Sequence, residues 1–215
     1  VDAETVGQGL ERVRDRIAAA GGDPTAVTVV AVTKGFGPEA VEAAVAAGAV
    51  HLGENYAQEL IAKAPVAGPE VRWHFIGGLQ RNKVRALADH VHLWETVDRE
   101  ALGIEIARRA PGAAVLVQVN ISDEATKGGC PPAGAHDLVA ALEDVGLEVR
   151  GLMGIAAPGD LDRAGRQFGV LADLATALDL PERSMGMTDD LEVAVARGAT
   201  IVRVGTALFG SRPPR

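Results

Sequence analysis

Residues 28–34 read TVVAVTK, a continuous apolar run that ends on a lysine and is followed at 35–40 by GFGPEA. β-Branched residues bounded by a segment containing glycine and proline predict a strand buried on both faces. A lysine at the carboxyl end of such a strand is a costly choice, because its charge must be paired, carried out to water or neutralised by a depressed pKa. A neutral, positioned amine is also what condensation with an aldehyde requires. Two readings of Lys34 therefore stand side by side: a rim residue pointing into solvent, or a nucleophile.

Working outward, the pattern of strand then helix repeats along the chain. Pro38 opens a helix, PEAVEAAVAAG, that stops at Gly48, with proline near the start and glycine past the end. The strand VHLGE (50–54), the helix NYAQELIAKA (55–64), the strand VRWHFIGG (71–78) and the helix LQRNKVRALADH (79–90) follow. HLWET (92–96) is a fourth strand, and DREALGIEIARRA (98–110) a helix closed by Pro111 and Gly112. AVLVQVN (114–120) is the clearest later strand, and a polar loop, ISDEATKGGCPP (121–132), leads from it to a helix around HDLVAALEDVG (136–146). The remainder alternates EVRGLMGI (148–155), DRAGRQFGVLADLATAL (162–178), RSMGM (183–187), DDLEVAVARG (189–198) and TIVRVGT (200–206).

Eight strands alternating with helices predict a closed parallel (β/α)8 TIM barrel, an α/β fold, as a single domain over residues 1–215. An extra N-terminal helix precedes it, with Val6, Leu10, Val13 and Ile17 on one face. That helix carries charges throughout and lacks the apolar block of a signal peptide. A doubly wound open sheet is the competing architecture, but no GxGxxG follows the first strand and no reversal of strand order is visible.

Composition narrows the function. A net charge of −8 argues against a nucleic-acid partner, which demands a basic face. The single cysteine, Cys130, forms no internal disulfide, and no Cys/His cluster suggests zinc. This fits a reducing, cytoplasmic setting. No stretch is long and apolar enough to span a bilayer as a helix.

In a barrel of this kind the site lies at the carboxyl ends of the strands, and phosphate is commonly bound by the loops after strands seven and eight. Here strand seven ends in Ser184-Met185-Gly186-Met187-Thr188 and strand eight in Arg203-Val204-Gly205-Thr206. Small residues let backbone N–H groups approach an anion, and the Ser184 and Thr206 hydroxyls add donors. Thr188, Asp189 and Asp190 read as caps of the helix LEVAVA. Arg203 interrupts an apolar run and needs an acceptor; beside a heteroaromatic ring it can face the ring nitrogen. Amine, phosphate pocket and arginine together suggest pyridoxal phosphate. Of the four lysines, Lys63 and Lys83 read as solvated helix positions, which leaves Lys127, after strand five, as the rival to Lys34.

The segments AVTKGFGPEAVEAAVAAGAVHLGENYAQEL, RWHFIGGLQRNKVR, VLVQVNISDEATKGG, GLMGIAAP and SMGMTDDLEVAVARGATIVRVGTALFG resemble the pyridoxal phosphate homeostasis proteins, single-domain relatives of the alanine racemase barrel, fold type III. The resemblance covers most of the chain. It implies that Lys34 forms the Schiff base, that Ser184, Gly186, Gly205 and Thr206 hold the phosphate, and that Arg203 addresses the pyridine nitrogen. It also implies that Asn55 and Met153 line the ring pocket with Met185 close by. From the residues alone, Asn55 equally reads as a helix N-cap and Met153 as core filler. His74 reads as a satisfied core histidine, and His90 and His92 as sharing a strand face, with no third ligand for a metal. Thr188 stands where the family usually has serine, and the segment from Gly159 to Arg183 is short for the family.

Function follows as two expectations of different class. The resemblance favours a monomeric, non-enzymatic carrier or regulator in vitamin B6 homeostasis, with no catalytic residue, that shields the aldehyde and passes it to apoenzymes. The alternative is an amino-acid racemase, which needs a base on each face of the α-carbon. Alanine racemases take their second base, a tyrosine, from an additional domain, whereas this chain has only Tyr56. A weaker third possibility uses Lys34 as an aldolase-type amine without a cofactor.

Overall fold

The computed structural model describes residues 1–122, 124 and 127–212 of the chain. Asp123, Ala125 and Thr126, in the middle of the expected polar loop, lie outside the described residues. The strands are β1 (Thr28–Val32), β2 (His51–Glu54), β3 (Arg72–Phe75), β4 (Val91–Val97), β5 (Ala114–Gln118), β6 (Glu148–Met153), β7 (Glu182–Ser184) and β8 (Ile201–Val204). They pair in sequence order and close into a barrel, with β1 against β2 on one side and β8 on the other, all parallel. The helices are α1 (Ala3–Ala19), α2 (Pro38–Ala46), α3 (Ala57–Ala67), α4 (Arg81–Leu87), α5 (Glu100–Arg109), α6 (Ala135–Asp144), α7 (Leu161–Ala177), α8 (Leu191–Ala196) and α9 (Thr206–Phe209).

The two-residue period of a strand divides the core into two. In β1, Val30 points inward, into a cluster with Leu93, Ala114, Leu116, Met153 and Ile201 inside the barrel. Ala31 points outward, into the larger core between barrel wall and helices. The same alternation turns Lys34 inward with Val30 and Val32, and Thr33 outward toward the helix layer.

Two features depart from the expected pattern. First, the helix after β8 is a single turn, and α1 packs against α2, α8 and α9, covering the seam between β8 and β1 that a full-length eighth helix would cover. Val6, Leu10, Val13 and Ile17 are the buried face of α1, as the periodicity predicts. Burying each such side chain contributes roughly 1.5–3 kcal/mol. Second, β7 is only three residues long and its ladder with β8 consists of the pair Ser184 and Ile201. The expected strand 183–187 ends early because Gly186 adopts φ +92, a conformation open to glycine and closed to extended pairing.

Candidate functional site

The loops at the carboxyl ends of the strands enclose a cavity of about 240 Å³, with Lys34, Asn55, Ile155, Thr188, Arg203 and Thr206 among its lining residues. The volume falls just below the roughly 300–1,000 Å³ usual for ligand clefts and suits a ligand with a single ring. Lys34 is half-buried here, and among the described residues its amine makes no hydrogen bond or ion pair. Burial lowers its pKa, the positive charges of Arg212 and Arg203 lower it further, and Glu54 opposes them. An amine so placed carries a larger share of its unprotonated, nucleophilic form at neutral pH than a solvated lysine.

Behind Lys34, on the outward side of the wall, a second lysine holds the backbone. Lys63 is 2 % exposed, not solvated as its helix position suggested. Its Nζ donates to the Thr33 carbonyl at 2.8 Å, to Glu54 Oε1 at 2.5 Å and to Glu59 Oε2 at 3.2 Å. The Thr33 hydroxyl donates to Glu54 at 2.7 Å, and the Gly35 N–H to Glu59 at 2.7 Å. Both peptide groups flanking Lys34 are therefore tied to one buried ionic cluster. Burial raises the pKa of Glu54, against the opposing bonds from Lys63 and Thr33. Burial works against ionised Glu59 as well, but the Gly35 N–H and Lys63 prevail and hold it below its ordinary value. The signal was present in the sequence: Lys63 falls three residues after Leu60 and four before Ala67, on the face of α3 that is buried.

Arg203 is 4 % exposed and reaches the cavity from inside the barrel. Its Nη1 donates to Ser184 Oγ at 2.5 Å and its Nη2 to the Gly154 carbonyl at 3.0 Å. Ser184 in turn donates to Glu95 Oε2 at 2.5 Å. Burial lowers the Arg203 pKa while Glu95 and Asp190 support its charge. Glu95 lies below its ordinary value: burial opposes ionisation, and His74, Arg203 and Ser184 outweigh it.

The expected site residues thus separate into two groups. Lys34, Asn55, Arg203, Gly205 and Thr206 line the cavity together. Ser184, Met153 and Met185 are fully buried and Gly186 is buried as well, outside the lining. The Ser184 hydroxyl, engaged by Arg203 and Glu95, is not free to face an anion in the cavity. Met153 packs inside the barrel and Met185 in the outer core. Asn55 does not cap α3, whose N-cap is Tyr56; instead its Oδ1 is a buried acceptor without a hydrogen-bond donor. Gly77 explains why Asn55 sits so close to the wall, since a Cβ there would lie 2.1 Å from the Asn55 carbonyl oxygen. Asp190 occupies the N-cap position of α8 without bonding the helix, and accepts from the Met187 N–H at 2.6 Å instead. Lys127 is not in the lining of the cavity; its Nζ is 3.4 Å from the Ala156 carbonyl and from Glu124. His74 is a satisfied core histidine, whereas His90 falls just before β4 and does not share its face with His92.

The match to the family model for the alanine racemase N-terminal domain spans residues 7–213. A pyridoxal phosphate homeostasis protein from Pseudomonas aeruginosa is 41 % identical over 220 residues, covering 98 % of this chain and 95 % of that protein. One from Escherichia coli strain K12 is 39 % identical over 230 residues, covering 96 % and 97 %. Among solved structures, PipY of Synechococcus elongatus with pyridoxal phosphate bound is 33 % identical, with a TM-score of 0.80 over 92 % of this chain and all of that one. A closed parallel barrel with an amine at the mouth of β1, matched along nearly its whole length by these relatives, belongs to the alanine racemase N-terminal domain family and, within it, to the pyridoxal phosphate homeostasis proteins.

Proposed function

We propose that this chain binds pyridoxal phosphate through Lys34 and serves in the intracellular handling of vitamin B6, as a carrier or regulator without robust catalysis. The observation that carries the reading is the Lys34 amine itself: half-buried, depressed in basicity, and facing a cavity shared with Arg203, Gly205 and Thr206. The orphaned Asn55 Oδ1 at the same cavity fits a ligand that brings a hydroxyl donor, as this cofactor does. The names of the relatives, and the cofactor bound in PipY, support the same assignment.

When bound, the cofactor supplies an aldehyde carbon for the amine and a conjugated ring able to accept electron density. The chain's own residues do the rest. Lys34 offers its lone pair, kept available by burial and by the neighbouring guanidinium groups. Arg203, permanently protonated, meets the ring nitrogen and opposes its protonation, which weakens the ring as an electron sink. Gly205, Thr206 and Thr188 receive the phosphate, with Arg212 adding charge. Ser184 serves Arg203 rather than the phosphate, while Met153, Met185 and Gly186 shape the wall from behind.

A racemase needs a second base, and among the described residues the only carboxylate lining the cavity is that of the exposed Asp189. Tyr56, 45 % exposed at the start of α3, is not in the lining. In the proposed role the chain acts as one domain, as a cytoplasmic monomer, and delivers the cofactor to apoenzymes. No helix among the described residues is long and apolar enough to cross a membrane.

The test is direct. Protein incubated with pyridoxal phosphate should turn yellow, and borohydride reduction should leave one adduct that maps to Lys34 and is missing in Lys34→Ala. An adduct on Lys127, or none, overturns the reading. Single-enantiomer alanine incubated with the loaded protein should keep its hand; robust turnover dependent on Lys34 would replace the carrier with a racemase.

A further inference from the structure

The inside of the barrel is not uniformly apolar. Beside the Val30, Leu93, Leu116, Met153 and Ile201 cluster runs a hydrogen-bonded row of polar side chains, from Arg203 at the cavity to His51 at the amino end of β2. Beyond the Arg203–Ser184–Glu95 links, Glu95 Oε1 lies 2.5 Å from His74 Nδ1, and His74 Nε2 lies 2.8 Å from His51 Nδ1. Ser184, Glu95 and His74 are all fully or almost fully buried. Two donor orders satisfy every linking atom: His74 Nδ1–H donates to Glu95 Oε1, Ser184 O–H to Glu95 Oε2 and Arg203 Nη1–H to Ser184 Oγ in both, while between the rings either His51 Nδ1–H donates to a neutral His74 or His74, carrying both ring protons, donates Nε2–H to His51 Nδ1. Glu95, ionised, is the common acceptor on which the row converges from both ends.

Stability does not account for such a row. Removing a carboxylate and a guanidinium from water costs about as much as their attraction returns, and apolar side chains of the same volume would fill a barrel core as well or better. The row does accomplish one thing an apolar core cannot. It fixes the plane of a guanidinium at the cavity by acceptors on two sides, Ser184 and the Gly154 carbonyl, and supplies that guanidinium with a counter-charge from behind.

We propose that Glu95 is a positioning residue for the cofactor: acting through Ser184, it fixes the plane and the charge of Arg203, while His74 and His51 hold Glu95 from the far side. The proposal rests on the attachment of the cofactor to Lys34. The other charged groups facing this row are Asp190 near Arg203, Arg72 and His92 around His51, and Glu182, Glu148 and Arg150 at the far mouth. Arg212 and Glu54 act on Lys34 directly.

Glu95→Gln keeps the size of the side chain and removes its charge, and Ser184→Ala breaks the link while keeping both charges. Wild type and both variants are loaded with pyridoxal phosphate, reduced and mapped, and in parallel the visible band of the unreduced protein is titrated with pH. All three should carry the adduct on Lys34. Loss of a negative charge disfavours a protonated, cationic linkage, so the midpoint of the band should fall by about one pH unit in Glu95→Gln and by less, in the same direction, in Ser184→Ala. A purely structural role would lower thermal stability and leave the midpoint in place. Adduct on Lys34 with an unmoved midpoint overturns the positioning role alone. Absence of a Lys34 adduct in the wild type overturns the attachment, and the positioning role with it. Should Glu95→Gln not fold, the midpoint of Ser184→Ala decides the matter.

Discussion

Lys34 and Lys63 are the same side chain in opposite surroundings. Lys63 meets two carboxylates and a carbonyl inside the wall, whereas the charges that most affect Lys34 are two arginines. One holds the wall together, and the other is, in the proposed role, the reactive amine. Lys63→Met leaves Glu54 buried and unpaired, and breaking a buried pair from one side typically costs about 3–5 kcal/mol. Urea unfolding should show that loss, and adding Glu54→Gln to Lys63→Met should restore much of it. Where the single variant is still folded, uptake of pyridoxal phosphate should be slower than in wild type, because the Thr33 carbonyl loses its donor and Glu59, which accepts from the Gly35 N–H, loses its cation; an unchanged rate of colour development would separate the clamp from Lys34. At the opposite end of the cavity, Arg203→Ala should alter the visible band more than the amount of cofactor bound, while Thr188→Ala with Thr206→Ala should weaken its retention. The reverse pattern would mean that the ring and phosphate ends have been exchanged.

Among the elements, α1 carries a role that its position before the barrel conceals. It closes the outer layer over the β8–β1 seam, and its contact with α9 is close: a Cβ on Gly9 would stand 2.9 Å from the Ala207 carbonyl oxygen. Gly9→Ala should therefore destabilise the protein by about 1–3 kcal/mol through overpacking, despite alanine's helix preference of about 1 kcal/mol over glycine. A raised melting temperature would show that α1 docks loosely. Strand and helix order was legible in the chain because each βα unit carries its own punctuation, as Pro38 and Gly48 do around α2. That Lys34 shares a face with Val30 and Val32 follows from the two-residue period, but which face is inward was not legible, because the run is apolar on both. What could not be read is what depends on register between strands. Ser184 and Arg203 are recognisable as polar residues in apolar surroundings, but their pairing with Glu95 and His74 exists only once the barrel has closed and β3 and β4 face β7 and β8 across its interior. Lys63 is different, since helical spacing alone places it with Leu60 and Ala67; its charge argued for solvent, and the pairing with Glu54 overrides that preference.

The molecule as a whole should respond to acid through its far mouth. The His51 imidazole is pushed down from 6.5 to about 4, chiefly by burial and then by His74, Arg72 and His92, and His92 is lowered as well. The unfolded chain takes up a proton at His51 below about pH 6.5, the folded one only near pH 4, so unfolding binds protons across that window. Stability should fall as pH drops from 6.5 towards 4, and His51→Gln should flatten the slope of the denaturant midpoint against pH. An identical slope in the variant would place the acid sensitivity elsewhere. The pairing of β1 with β8 has a consequence for synthesis. On the ribosome, β1 emerges before β8 with one edge open, so the nascent chain presents Lys34 before Arg203 and Thr206 exist to confine, in the proposed role, a ligand there. In the proposed role, stable retention of the aldehyde therefore begins only when the last strand has joined the first.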